Sequence, residues 1–358
     1  MKRRPLLACM PLGALALVDI ALAAPKKGAI TPTFDSFAGT SARTGPYLSA
    51  RQRVLALLQG HFIPEAEALQ QSAAALHASL SDPVAHWQTQ QPLWVQTMLH
   101  WERLAAVAVG PLLERRAARS IDFWPTRPAQ IQRQLDANAA RPLTQEQIES
   151  VGSAARGLPA LEWIFWRLPA TPAHQHYVRL LTQHVLNECT ILLDGYRAMA
   201  TASRSEEEAS ALYGEWYGQA VGGLDQLRIK KMVPDTRGKE VSLWVRGVSG
   251  QTTAAWQAQL QGAQAFLVGT PAAQAARPDW PVAGSLQGLL LGNDTPQPSR
   301  QLQQLTLAAL RSGARARPDN PAALRAAQQA LAKLSQFLNA LAENVLHIGM
   351  GFTDADGD

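Results

Sequence analysis

Cysteine is scarce in this 358-residue chain, which holds only Cys9 and Cys189. No CxxC pair appears, so a thiolate zinc site and a thioredoxin-like redox site lose their support. There is no HExxH helix and no glycine-rich loop following a strand, which removes the zincin and phosphate-loop readings. Past the first two dozen residues no apolar run reaches the roughly 18 residues that a membrane span needs. Charge of one sign is also missing: 33 Lys and Arg stand against 28 Asp and Glu, a net +5. That balance gives no case for nucleic acid. Strand-like alternation is confined to residues 239–248, with Val241, Leu243 and Val245 on one side, and one such segment does not make a sheet.

What the chain does have is apolar bulk: 47% of residues are hydrophobic and 17% charged, a globular composition that buries a real core. The start, MKRRPLLACMPLGALALVDIALAA, sets Lys2, Arg3 and Arg4 before an apolar stretch and ends on Ala21-Leu22-Ala23. This order predicts a secretory signal over 1–23, and with it export to the periplasm or cell envelope. Leu6-Leu7-Ala8-Cys9 has the letters of a lipoprotein box, but it precedes the apolar stretch and would leave too short a signal. Cleavage after Ala23 removes Cys9, three basic residues and Asp19, leaving 30 basic against 27 acidic residues and no internal disulfide. An exported protein of this kind relies on a packed core.

Residues 24–45 are polar and without a helical period, and read as a flexible lead-in. From Tyr47 to about Leu80 the apolar residues fall three or four apart, with Pro64 as a kink or split. A second helix is expected from Leu93 to Arg119, with Trp94, Met98, Trp101, Ala105 and Leu112 as a core stripe. Arg115, Arg116 and Arg119 would then sit at its negative end. Short segments cover Pro128–Ala139, Thr144–Ala155 and Pro159–Arg167, and a long bundle helix follows from Gln175 to Ala202 with Cys189 buried on its seam. Thr201 to Ser210 is the best boundary, although Glu206–Glu208 could equally open the next helix. The expected class is all-α, with a helical domain over 46–202 and another over 203–358.

Two histidines stand one helical turn before a glutamate, His61 with Glu65 and His184 with Glu188. Residues at i and i+4 share a face, so either pair offers an imidazole and a carboxylate to one metal; either also reads as a surface hydrogen bond, and a pair leaves a metal short of ligands. His174 and His176, two apart, point in different directions. The tail GFTDADGD gathers Asp354, Asp356 and Asp358 but stops before the distal glutamate of an EF-hand, and by composition it is a frayed acidic terminus.

Several fragments together carry a family signal: Gly110-Pro111, Phe123-Trp124-Pro125, Gly157-Leu158-Pro159-Ala160-Leu161-Glu162, and the closing Gly351 to Asp358. In order and spacing the set resembles the imelysin family of exported bacterial helical proteins, also known as insulin-cleaving membrane proteases of the M75 peptidase type. The resemblance implies two bundle-like domains, a place in the periplasm or at the cell surface, a link to iron uptake, and a ligand site at the domain interface. It also implies that the acidic tail is ordered there. The family motif is Gly-x-His-x-x-Glu, whose histidine and glutamate share one helical face and can share a metal. In this chain Pro159 stands at the histidine position and Glu162 alone carries over. Arg246 and Ser249, from the VSLWVRGVS stretch, and Trp124 join Glu162, Asp354, Asp356 and Asp358 as expected ligand-binding residues.

With half of the motif gone, the first expectation is a non-catalytic binding or accessory protein for an unknown small ligand or envelope protein. No complete ligand set supports a cofactor, iron included. The alternative is a metallopeptidase that recruits ligands elsewhere, such as His184 and Glu188. Glu162 itself has a bland reading: Pro159 suits a first helical position, and a carboxylate in the opening turn is favoured by the helix dipole, worth about 0.3–1 kcal/mol. Set among Trp163, Phe165 and Trp166, it would otherwise be partnered or shifted in pKa, with Arg246 as the candidate partner.

Overall fold

A computed structural model describes residues 47–82, 86–236, 244–277 and 280–348. The predicted signal, the lead-in, Val241, Leu243 and the tail aspartates Asp354, Asp356 and Asp358 lie outside these residues. The described part is all-α; its only β-type pairing is an isolated bridge between Arg317 and Asn320.

Ser49 caps α1 (Ala50–Leu57) in a reciprocal box with Gln52. The chain then widens into a π-turn over Leu58–Phe62 before α2 (Ile63–Ala78). Pro64 explains the widening: it has no N–H and its ring would clash with the carbonyl four residues back, so the helix passes it with an inserted residue rather than breaking. The second expected helix does not run to Arg119. It ends as α3 (Gln90–Leu104), and Gly110, with φ of 52°, redirects the chain into the short α4 (Pro111–Glu114) and α5 (Ala117–Ile121). Arg115, Arg116 and Arg119 therefore do not crown one long helix. Arg116 is itself left-handed, at φ 51°.

Then come α6 (Pro128–Ala140), two 3-10 turns at Glu146–Ser150 and Ser153–Ala155, α7 (Gly157–Arg167) and the 30-residue α8 (Pro172–Thr201). Ser205 and Glu208 form a second capping box, so the acids after Thr201 open α9 (Glu206–Gln226). Another π-turn, Leu227–Lys231, closes it. The described end of the strand-like stretch, from Trp244 onward, is a series of turns. α10 (Thr252–Leu267), α11 (Pro271–Ala276), α12 (Leu286–Gly292), α13 (Pro296–Arg315) and α14 (Pro321–Leu341) complete the fold.

The apolar stripes pair these helices. α2 packs against α3 and α8, α13 against α14, and α10 lies between α3 and α13. Trp94, Met98 and Trp101 are buried in this core as the stripe predicted, and so is Cys189. The α3–α10 contact is close because position 262 is glycine: a β-carbon there would overlap the Arg103 carbonyl. This junction brings the C-terminal end of α3 against the second half of the chain, and the buried charges lie beside it.

Candidate functional site

Glu102 follows Trp101 on α3 and is 0% exposed. A carboxylate so placed must find compensation. Both partners come from beyond residue 202. Lys231, the last residue of the second π-turn, donates from Nζ to Glu102 Oε2 at 2.6 Å. Arg246, 1% exposed, donates from Nε and Nη2 to Glu102 Oε1 at 3.1 and 2.9 Å.

Backbone geometry explains how an arginine reaches so deep. Arg246 adopts a left-handed φ of 55° in the turn before α10, a conformation that costs roughly 1–3 kcal/mol outside glycine. The turn is pinned on both sides, by Gln251 N–H on the Arg246 carbonyl at 2.9 Å and Thr252 Oγ1 on the Val245 carbonyl at 2.8 Å. From there the guanidinium passes 5.9 Å from the centre of the Trp94 ring and pairs through Nη2 with Asp122 Oδ1 at 2.7 Å. Asp122, just after α5, is fixed on its other oxygen by Trp101 Nε1–H at 2.8 Å.

Glu162 lies alongside. α7 begins at Gly157, whose φ of 78° and contact with the Ile121 carbonyl exclude a side chain. Pro159 is thus third in the helix and Glu162 sixth, past the opening turn, so the helix-cap reading of Glu162 is corrected. Ser249 holds it instead: its backbone N–H and its Oγ both donate to Glu162 Oε1, at 2.9 and 2.6 Å. Among the described residues no hydrogen bond or ion pair joins Glu162 to Arg246. The arginine acts on Glu162 through its field, while its direct partners are Glu102 and Asp122.

The electrostatics separate the two acids that flank the guanidinium. For Asp122, burial works to raise the pKa, but Arg246, Lys231 and the Trp101 hydrogen bond outweigh it and hold the carboxyl below its ordinary value. For Glu162 burial wins. Its pKa stands above the ordinary value, with Asp122 adding to the rise and Arg246 and Ser249 opposing it. Burial also disfavours the Arg246 charge, yet Asp122, Glu102 and Glu162 together push its pKa up, so it stays a cation.

Of the expected site residues, the fold brings Glu162, Arg246 and Ser249 together. Trp124 is half-buried against the core, and among the described residues no hydrogen bond links it to the other three. Glu102, Asp122 and Lys231 were missed. A readable signal existed for Glu102, a lone acid one residue beyond the buried Trp94-Met98-Trp101 stripe, where an unpaired carboxylate is costly.

A metal ion does not fit at Glu162. Pro159 offers no side-chain ligand atom, Glu162 Oε1 already accepts two hydrogen bonds from Ser249, and the Arg246 guanidinium already acts on this acid as a positive charge.

The family model for imelysin, peptidase M75, matches residues 61–347. No curated protein matches the chain. Among solved structures, an imelysin-like protein from Psychrobacter arcticum 273-4 superposes with a TM-score of 0.69 at 17% identity, over 86% of this chain and 99% of the other. A protein designated an iron-regulated protein A precursor, from Parabacteroides distasonis ATCC 8503, gives 0.66 at 13% identity, over 86% and 98%. With a family match running from His61 in the first π-turn to His347 and two such folds beside it, the chain belongs to the imelysin family.

Proposed function

We propose that this chain is an exported, non-catalytic binding or accessory protein of the periplasm or cell envelope, linked to iron uptake, with its ligand site where the halves 46–202 and 203–358 meet. One observation carries this reading. The glutamate that survives from the family motif is held by Ser249 of the other half, beside an arginine that already supplies the positive charge. The cluster spends Glu102 and Asp122 on that arginine and leaves Glu162, which burial holds above its ordinary pKa and which Ser249 alone hydrogen-bonds among the described residues, as the group able to exchange a partner. The iron link rests on the designation of the Parabacteroides distasonis protein and on the family resemblance. Export rests on the basic-then-apolar start of the sequence.

The competing reading, a metallopeptidase, makes a different demand. Purified protein should then cleave denatured protein substrates in a chelator-sensitive way. The expected result is no chelator-sensitive cleavage by the wild type, and envelope recovery of the chain with residues 1–23 removed. Chelator-sensitive turnover abolished by Glu162→Gln would overturn the binding-protein reading.

A further inference from the structure

The two His-Glu pairs fare differently in the fold. Glu65 turns from His61 to His100 Nδ1, at 2.6 Å, and to Arg103 Nε, at 2.9 Å. His184 and Glu188 stay together on one face of α8 and gain a third group, Glu149, from the 3-10 turn 146–150. One nitrogen of His184 and one oxygen from each glutamate lie within 4.8 Å of one another. First-row divalent ions bond imidazole nitrogen and carboxylate oxygen at about 2.0–2.2 Å, so ligand atoms on one ion stand roughly 3–4 Å apart. From separations of at most 4.8 Å, the group reaches that spacing with side-chain shifts on the order of 1 Å.

We propose that Glu149, His184 and Glu188 bind a divalent first-row transition metal, at a site separate from the Arg246 cluster. Three features support a ligand set over a plain ion pair. His184 is fully buried, and Ser120 Oγ lies 3.0 Å from its Nε2, which fixes the ring so that Nδ1 faces Glu149 Oε1 at 2.8 Å. That is the arrangement by which an outer group orients a ligating imidazole. Arg115 Nη2 donates to Glu188 Oε1 at 3.0 Å, and Arg156 Nη1 donates to Glu149 Oε2 at 3.2 Å. Each arginine thus holds one oxygen of a carboxylate, and an ion bound here would replace the contact between Glu149 Oε1 and His184 Nδ1. Lastly, the Glu149 side chain is 60% exposed while His184 and Glu188 are buried, so the site is open on one side, where water completes the coordination.

One nitrogen and two carboxylate oxygens suit Zn2+, Mn2+, Co2+ or Fe2+ and not a thiolate-seeking ion. Cys189, next after Glu188, is not in the group. The two arginines oppose a cation, so binding is weaker than the ligands alone would give.

The test uses the full mature chain, stripped with chelator, desalted, and titrated calorimetrically with Mn2+ and Zn2+; Co2+ provides a visible-absorption readout of the ligand field. One saturable ion per chain is expected. Glu149→Gln, exposed enough to leave folding intact, should weaken binding at least tenfold, as should Glu188→Gln. Ser120→Ala, which touches only the orienting group, should weaken it about 10–100-fold and shift the cobalt spectrum. Arg115→Ala should tighten it about tenfold by removing a like charge, the reverse of what loss of a purely structural ion pair would do. Absence of saturable binding to the wild type, or affinities unchanged in Glu149→Gln and Glu188→Gln, would overturn the proposal and leave the reading of the Arg246 cluster standing. Loss of the ion in Glu162→Gln, with retention in Glu149→Gln, would place it at the central cluster and overturn both.

Discussion

Arg246→Met is the sharpest perturbation of the charge cluster. The side-chain stem is kept, but Glu102 at 0% exposure loses two hydrogen bonds and Asp122 loses its ion pair, with Lys231 alone remaining on Glu102 Oε2. Removing one partner of a buried ion pair costs about 3–5 kcal/mol, because the residual charge is stranded rather than because the pair was strong. In a chain of this size about 2 °C of melting temperature accompanies each kcal/mol, so a fall of roughly 6–10 °C is expected. Urea unfolding at pH 7 with an unchanged m-value provides the free energy. The sign has a second check. Arg246 helps hold the Asp122 carboxyl below its ordinary pKa, so in the variant Asp122 takes up a proton more readily and the gap between variant and wild type should narrow as pH falls from 7 toward 5. Adding Glu102→Gln to Arg246→Met should recover part of the loss, with a coupling of about 1–3 kcal/mol. A cost below about 1 kcal/mol for Arg246→Met, independent of pH, would refute the reasoning, since it would mean that water already reaches these acids.

Three further outcomes follow from the same physics. Glu162 has a folded-state pKa above its ordinary one, so its contribution to stability is present at low pH and is lost as pH rises through the ordinary and then the folded value; Glu162→Gln should be at least as stable as wild type at pH 8, with a flatter stability–pH curve by urea melts. Burial pushes His61 down to about 4, the opposite case, so its contribution is present above pH 6.5 and lost as pH falls toward 4; relative to His61→Phe, the wild type should lose about 3 kcal/mol across that window. Gly262→Ala forces a β-carbon into the Arg103 carbonyl and should cost about 1–3 kcal/mol, read as a lower melting temperature.

The helices were legible where packing repeats locally. The α2 and α8 periods, the Trp94-Met98-Trp101 stripe and the burial of Cys189 follow from apolar spacing alone. Where the reading failed, a single residue redirected the chain for a reason outside its own window. What looked like one helix to Arg119 stops at Leu104, and Gly110 then redirects the chain into α4 and α5, which pack on α8. Pro64 was expected to kink or split a helix, and the interruption does fall just before it, in the form of a π-turn between α1 and α2. Near Thr201 the acids Glu206–Glu208 were read either as part of a boundary segment or as the opening of the next helix, and the Ser205–Glu208 box shows that they open α9.

The site divides along the same line. Glu162, Arg246 and Ser249 were reachable through a motif because the motif stores which distant segments meet. Glu102 and Asp122 carry no such label: they meet at Arg246, which the left-handed turn before α10 carries inward and which no sequence period announces. Their presence changes what Pro159 means. Loss of a motif histidine would by itself leave Glu162 as a lone buried acid, which is unfavourable unless its charge is met or its proton kept. The fold does both at once, with the field of a guanidinium shared by Glu102 and Asp122, and with burial that raises the Glu162 pKa. Burial favours the neutral form of this acid, and Ser249 already donates twice to its Oε1, so any ligand of the proposed site would have to displace those two hydrogen bonds.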